Sequence, residues 1–312
     1  MKLFGKSDKI IQRILIVEDE PLTAFDNENI LGDAGYEIVA TIEWMREYNR
    51  TRGQKPPVEI AGFDVTDERG AADVVTVYLN RVDPVAASTA IATYSDCLVS
   101  NALGDCGARM KAIGADLSAR EAELVGRSSQ REFDAASQGA SIAAVSVTAP
   151  PLPTYFAWRD QNMAANVSQL KDRRSSNGRV ILWGHQEHVG KTINLQSVKP
   201  MGGWLDEHYG ADYFVIGSSA GSGMFHIISP ASALLTSAFS PASADDYESF
   251  FRSGPMPAML IPLRGGLPDW LAATHRLRGG SAGGYYDKSE DLKRKLDAIV
   301  YVDQTTPSLN FW

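Results

Sequence analysis

Apolar residues recur along this chain with two periods, and the switches between them mark its elements. Residues 13–17, RILIV, are a short apolar run and predict a buried strand. Glu18, Asp19, Glu20 and Pro21 follow at once. Residues 22–33 suit a helix closed by Gly35, and residues 36–42 suit a second strand, which makes a βαβ opening. A short helix is predicted over residues 44–50, a polar loop over 51–57 and a strand over 58–63, ending at Asp64.

From Gly70 to about Ala144 the chain is rich in alanine and poor in Gly and Pro, with Met110, Ile113, Leu117 and Leu124 spaced for one helical face. Three prolines within residues 148–153 break the pattern. Phe156, Met163, Val167 and Leu170 resume helical spacing until Ser175, Ser176, Asn177 and Gly178 stop it. Residues 180–183 read as a buried strand, 201–208 as a helix ended by Gly210, and 213–216 and 259–262 as strands. Residues 290–297 read as a helix feeding a strand at 298–302. Strands alternating with helices predict an α/β fold, a largely parallel sheet flanked by helices, with a helix-rich middle segment.

Length and composition narrow the partners. The 312 residues can bury one large core or two smaller ones. A formal charge of −8 repels phosphate backbones, so nucleic acid is not an expected partner. No run reaches the about 18 apolar residues of a membrane helix, and no signal peptide is recognised. Cys97 and Cys106 lie nine apart, which is neither a CxxC pair nor a metal framework. They read as free thiols in a reducing, cytoplasmic setting.

The candidate chemistry starts late. No histidine precedes His185, so imidazole chemistry must use His185, His188, His208, His226 or His275. His185 and His188 follow the apolar run in RVILWGHQEHVGK, the usual place for a site at a strand end. An imidazole there can take a proton from water or stabilise an oxyanion, with Glu187 and Lys191 as charges able to tune it. The alternative is a pair of hydrogen-bonded loop histidines. HxxH lacks a third ligand and is not the HExxH pair, so no metal is assigned. A phosphate loop from Gly184 to Thr192 has five residues between its glycines where four are needed. Residues 217–221, GSSAG, match G-x-S-x-G with Ser219 as a nucleophile, against the alternative of a Gly/Ser-rich loop. Glu18, Asp19 and Glu20 could hold Mg²⁺ or simply be solvated.

Two resemblances add to this reading. RILIVEDEPLTAFDNENILGDAGYEIVATI, residues 13–42, resembles the start of a response-regulator receiver domain. That resemblance implies Mg²⁺ binding by Glu18 and Asp19, and Asp64 lies at a plausible distance for the phosphoacceptor of a signalling module. From Glu43 to about residue 308 the chain resembles the erythromycin esterase family. The matching pieces are EWMREYNRTRG, GFDVTDERGAADVV, WRDQNMAANV, VILWGHQEHVG, MGGWLDEHYGADYFVIG and LDAIVYVDQTTPS. The resemblance thus divides the chain into a receiver-like fragment, residues 1–42, and an esterase-like domain, residues 43–312. It implies hydrolysis of a small-molecule ester, such as a macrolactone, by histidine-activated water without cofactor or metal. His185 and His188 match the family's His-Asn-x-His segment, with Gln186 in place of the asparagine. Arg159 and Asp160 match its Arg-Asp helix pair and, with Glu187, would organise the cleft. The family's Gly-Glu-x-x-His motif is not in this sequence, so weak or absent activity is expected.

Overall fold

The computed structural model describes residues 14–18, 36–99, 105–174, 179–193, 197–228, 234–265, 268–278 and 291–307. The predicted helix at 22–33, most of the acidic cluster after the first strand, and the loop at 175–178 lie outside these residues. The chain divides into two compact units, one holding the first strand and Trp44–Trp183, the other holding residues 36–43 and Gly184–Trp312.

In the first unit β1 (Ile14–Glu18) is the centre of a three-stranded sheet. It pairs in parallel with β2 (Val58–Gly62) on one side and β3 (Arg179–Trp183) on the other. The receiver-like fragment therefore shares its strand with the sheet of the esterase-like segment. Its expected second strand is absent: residues 36–42 belong to helix α1 (Tyr36–Thr51). Ile38, Ile42, Met45 and Asn49 recur at steps of four, three and four, a helical stripe that outweighs the modest β preference of Ile, Val and Thr. Asn49 locks α1 to the start of β2, its amide donating to the Val58 carbonyl and accepting from the Val58 N–H, each at 2.8 Å.

The predicted helix-rich segment holds as α2 (Glu68–Val82), α3 (Pro84–Tyr94), α4 (Cys106–Ala119), α5 (Glu121–Gly126) and α6 (Gln130–Ser146). Side chains cap three of them: Asp67 for α2, Asp83 for α3 with Pro84 following, and Ser129 for α6. Met110, Leu117 and Leu124 are buried as their spacing predicts, packed with Val75, Leu79, Phe133 and Ala140. Cys97 and Cys106 are not free thiols. A π-helical turn, Ser95–Val99, brings their Cα atoms to 5.6 Å, and they form a disulfide. That bond removes the basis for expecting a reducing compartment. After the proline break α7 (Tyr155–Arg174) buries Met163, Val167 and Leu170 as expected. β3 is present but is an edge strand, not a buried one: Ile181 and Trp183 are 51% and 53% exposed.

The second unit starts with α8 (Gln186–Val189) and α9 (Met201–Tyr209). Its sheet has the order β5 (Leu234–Ala238), β4 (Ile216–Ile228), β7 (Ala298–Thr305), β6 (Ala258–Pro262). β4 and β7 are parallel; the other two pairings are antiparallel. Among the described residues three of five strand pairings are parallel, and the fold is α/β with flanking helices. The strand expected at 213–216 begins only at Ile216 and then runs 13 residues through the Gly/Ser segment. Short helices α10 (Tyr247–Arg252), α11 (Asp269–Ala272) and α12 (Leu292–Lys295) complete the unit. The helix expected over 290–297 is reduced to the single turn α12. Tyr247, Phe251, Leu277, Leu292, Ile299 and Tyr301 are fully buried. Among the described residues no helix is long and apolar enough to cross a membrane.

Candidate active site

His185 precedes the four-residue turn α8, and His188 sits inside it. One turn has too few internal bonds to persist alone, so tertiary contacts must fix it. Inside the turn, the N–H groups of His188 and Val189 donate to the His185 carbonyl at 2.8 and 3.0 Å. From outside, Gln186 Nε2 donates to the Arg278 carbonyl at 2.9 Å, and Tyr213 Oη donates to the Val189 carbonyl at 2.7 Å. Burial, then Asp206 and Asp297, push the Tyr213 phenol pKa up, so it remains a donor. The Glu187 carboxylate meets the Lys295 ammonium, and both side chains are buried. Lys191 N–H donates to the Lys295 carbonyl at 3.0 Å. Gly190 lets Lys295 approach this closely: a Cβ there would lie 3.0 Å from Lys295 Cγ and Cε. His185 is exposed and His188 half-buried, so neither ring is sunk in the core.

The charges expected to tune the rings have ion-pair partners of their own. Glu187 pairs with Lys295. The Lys191 ammonium lies 3.0 Å from both Asp206 and Asp297. Asp297 also accepts from Arg264 Nε at 2.6 Å and Val215 N–H at 2.7 Å. Burial raises the Asp297 pKa, but Arg264, the Val215 amide and Lys191 outweigh it and hold the carboxyl below its usual range. This also disposes of the phosphate loop, because Lys191 faces carboxylates.

The other candidates lie in the first unit. Arg159, on α7, grips Asp64 with a fork: Nε to Oδ1 at 3.0 Å and Nη2 to Oδ2 at 2.5 Å. Asp64 also accepts from Val65 N–H at 2.6 Å and Thr66 Oγ1 at 3.0 Å. The β2 exit is itself pinned. Gln138 on α6 donates to the Gly62 carbonyl at 2.6 Å, and Asn166 on α7 donates to the Phe63 carbonyl at 2.8 Å. Asp160 is fully buried beside Arg159. A phosphoacceptor must be open to a phosphodonor. Asp64 is 6% exposed and saturated with donors, so the receiver-type reading fails there.

The serine-nucleophile reading fails on topology. Ser219 lies inside strand β4, in register with Tyr301, and no turn or helix follows it. Its hydroxyl donates to Glu248, which also accepts from Arg278 N–H at 3.0 Å. His208 stacks edge-on with Tyr209, and a His275 ring nitrogen meets the Trp270 carbonyl at 2.8 Å. The side chain of His226 lies outside the described residues. Spacing singled out the histidines and the family resemblance singled out Arg159, but neither found Lys295. That residue ends the basic run KRK, whose other members are exposed, and nothing in the run distinguishes the buried one.

The whole fold is shared with solved structures. A Bacillus cereus protein matches with a TM-score of 0.77 and 20% identity, over 96% of this chain and 82% of that one. A succinoglycan biosynthesis protein matches with 0.77 and 18%, over 96% and 81%. A histidine-to-asparagine mutant of the erythromycin esterase EreC, in its open conformation, matches with 0.61 and 16%, over 95% and 83%. No curated relative matches the sequence. These likenesses define the class by fold alone, an α/β protein with flanking helices. The profile described as erythromycin esterase matches residues 34–305, and the chain belongs to that family. The match starts inside the stretch that resembles a receiver, and nothing supports a separate receiver fragment.

Proposed function

We propose that this protein is a metal-independent ester hydrolase acting on a small-molecule, macrolactone-type ester. Water activated by the imidazole pair adds to the acyl carbon. The alkoxide leaves with the proton the imidazole took up, and no acyl-enzyme forms. The observation that carries this reading is the His185–His188 turn at the end of a parallel strand, within a family match spanning most of the chain. Arg159 and Asp160 act as organisers of the first unit: Arg159 grips Asp64, and Asp160 is enclosed. Glu187 organises the turn through Lys295. The family's Gly-Glu-x-x-His motif does not occur in this sequence, so turnover by this pair is expected to be slow. The test is opening of a macrolide lactone, followed as the mass gain of one water. His188→Ala should lower turnover about 10²–10⁴-fold, the usual worth of a general base. Unchanged turnover in the double variant His185→Ala/His188→Ala would overturn the proposal.

A further inference from the structure

We infer that Lys295 is the positioning residue for His188, holding the imidazole through Glu187; this rests on the hydrolase reading above. Three observations converge on that side chain. Its ammonium is paired with Glu187, the residue immediately before His188, and Lys295 is fully buried while its neighbours Lys293 and Arg294 are exposed. Its own carbonyl receives the Lys191 N–H at 3.0 Å, so one residue holds the turn by both backbone and side chain. A Cβ on Gly190 would lie 3.0 Å from the aliphatic stem of Lys295 and 2.7 Å from the Gln186 carbonyl oxygen, so the glycine leaves room for the stem against the turn.

The placement of Lys295 is fixed independently of the turn. α12 starts with the fully buried Leu292 and runs directly into β7, an interior strand of its sheet. A four-residue helix cannot orient a side chain by its own stiffness. An ion pair in a low-dielectric setting can, because breaking it strands a charge. Lys295 acts through Glu187: it sets the angle at which His188 is presented. Nucleophile and base geometry must hold to a fraction of an ångström for efficient proton transfer.

Lys295→Met and Glu187→Gln test this in the full chain. Each should lower kcat for lactone opening at least tenfold with KM little changed. Each should also shift the His188 imidazole resonance in a histidine-labelled NMR spectrum. His275, held by the Trp270 carbonyl and the Tyr247 and Phe250 rings, serves as the internal reference that the unit is folded. A His188 resonance at its wild-type position in a variant with an unmoved His275 overturns the inference. Glu187→Gln keeps the shape of the pair and serves where Lys295→Met does not fold. The resonance is read without substrate, so a wild-type protein that opens no lactone defeats the proposed function while leaving this inference to the NMR result.

Discussion

The Asp64–Arg159 pair of the first unit joins a buried carboxylate to a half-buried guanidinium, the Glu187–Lys295 pair of the second is buried on both sides, and they support different scaffolds. Arg159 stands on α7, a 20-residue helix seated by Met163, Val167 and Leu170. That helix would keep its path without the pair, and the carboxylate would still hold Val65 N–H and Thr66 Oγ1. His188 stands on one turn, and there the ion pair is a principal support. The same kind of interaction is a refinement in one unit and a foundation in the other. What decides is how much apolar area seats the element that carries the site.

The largest expected effect follows on the weak scaffold. Lys295→Met leaves the Glu187 carboxylate buried without its cation, which costs about 3–5 kcal/mol when one partner of a buried pair is removed. Urea unfolding of the variant measures it. A loss below about 1 kcal/mol would mean the turn is carried by its backbone bonds, and the contrast between the two units would disappear.

Next comes acid. Asp297 ties Lys191, Arg264 and the Val215 amide together, and its folded pKa lies below the ordinary 3.8. Its contribution is therefore complete above that value and is lost as pH falls through the depressed folded value. Melting temperatures between pH 7 and pH 2.5 should show a falling acid limb, and Asp297→Asn should start lower at pH 7 and fall less. An identical limb in the variant would place the acid sensitivity on other carboxylates.

A smaller effect belongs to the strong scaffold. Arg159→Lys keeps the charge on α7 but exchanges a two-pronged grip for a point charge, at a cost of about 1–2 kcal/mol. Turnover should fall less than in Lys295→Met. A larger loss of turnover in Arg159→Lys would reverse the ranking of the two supports.

The two units also differ in how much the sequence discloses. In the first, helices α4 to α7 are legible because their burial is periodic: Met110 with Leu117, and Met163 with Val167 and Leu170, sit on single faces. The helix α1, whose residues are divided between the units at Trp44, is misread because residues 36–42 are rich in β-branched types, and a seven-residue window cannot separate a strand from the first turns of a long helix. The disulfide is hidden because its closeness comes from the π-helical turn before Cys106, not from spacing. In the second unit the Gly/Ser run reads as a loop, yet it is the middle of β4. A Cβ on Gly217 would lie 2.4 Å from Leu296 Cδ1, and one on Gly221 2.3 Å from Tyr301 Oη. Those glycines reflect crowding from residues about 80 positions away, which no local pattern encodes. The imidazole pair was legible as a motif. Its support was not, because Lys295 is distinguished from Lys293 and Arg294 only by tertiary burial.

The smallest effect tests whether another buried acid of the second unit helps the fold at all. Glu248 is fully buried on α10, accepts from Ser219 Oγ and Arg278 N–H, and has no partner for Oε2 among the described residues. Burial pushes its pKa above 4.5, and the hydrogen bonds from Ser219 and the Arg278 amide only partly offset this. A raised folded pKa stabilises below the unfolded value, and that contribution is lost as pH rises through the folded value. Glu248→Gln imitates the neutral form, so at pH 8 the variant should melt at the wild-type temperature or a little above it. The difference should vanish near pH 4, where the wild-type side chain is itself protonated. A clear drop in melting temperature at pH 8 would show that attraction to the buried Arg278 outweighs the desolvation of the carboxylate. Glu248 would then join Glu187 as a charge the second unit depends on. Turnover should stay unchanged in Ser219→Ala, because its hydroxyl is committed to Glu248 inside a strand and not to an ester carbonyl.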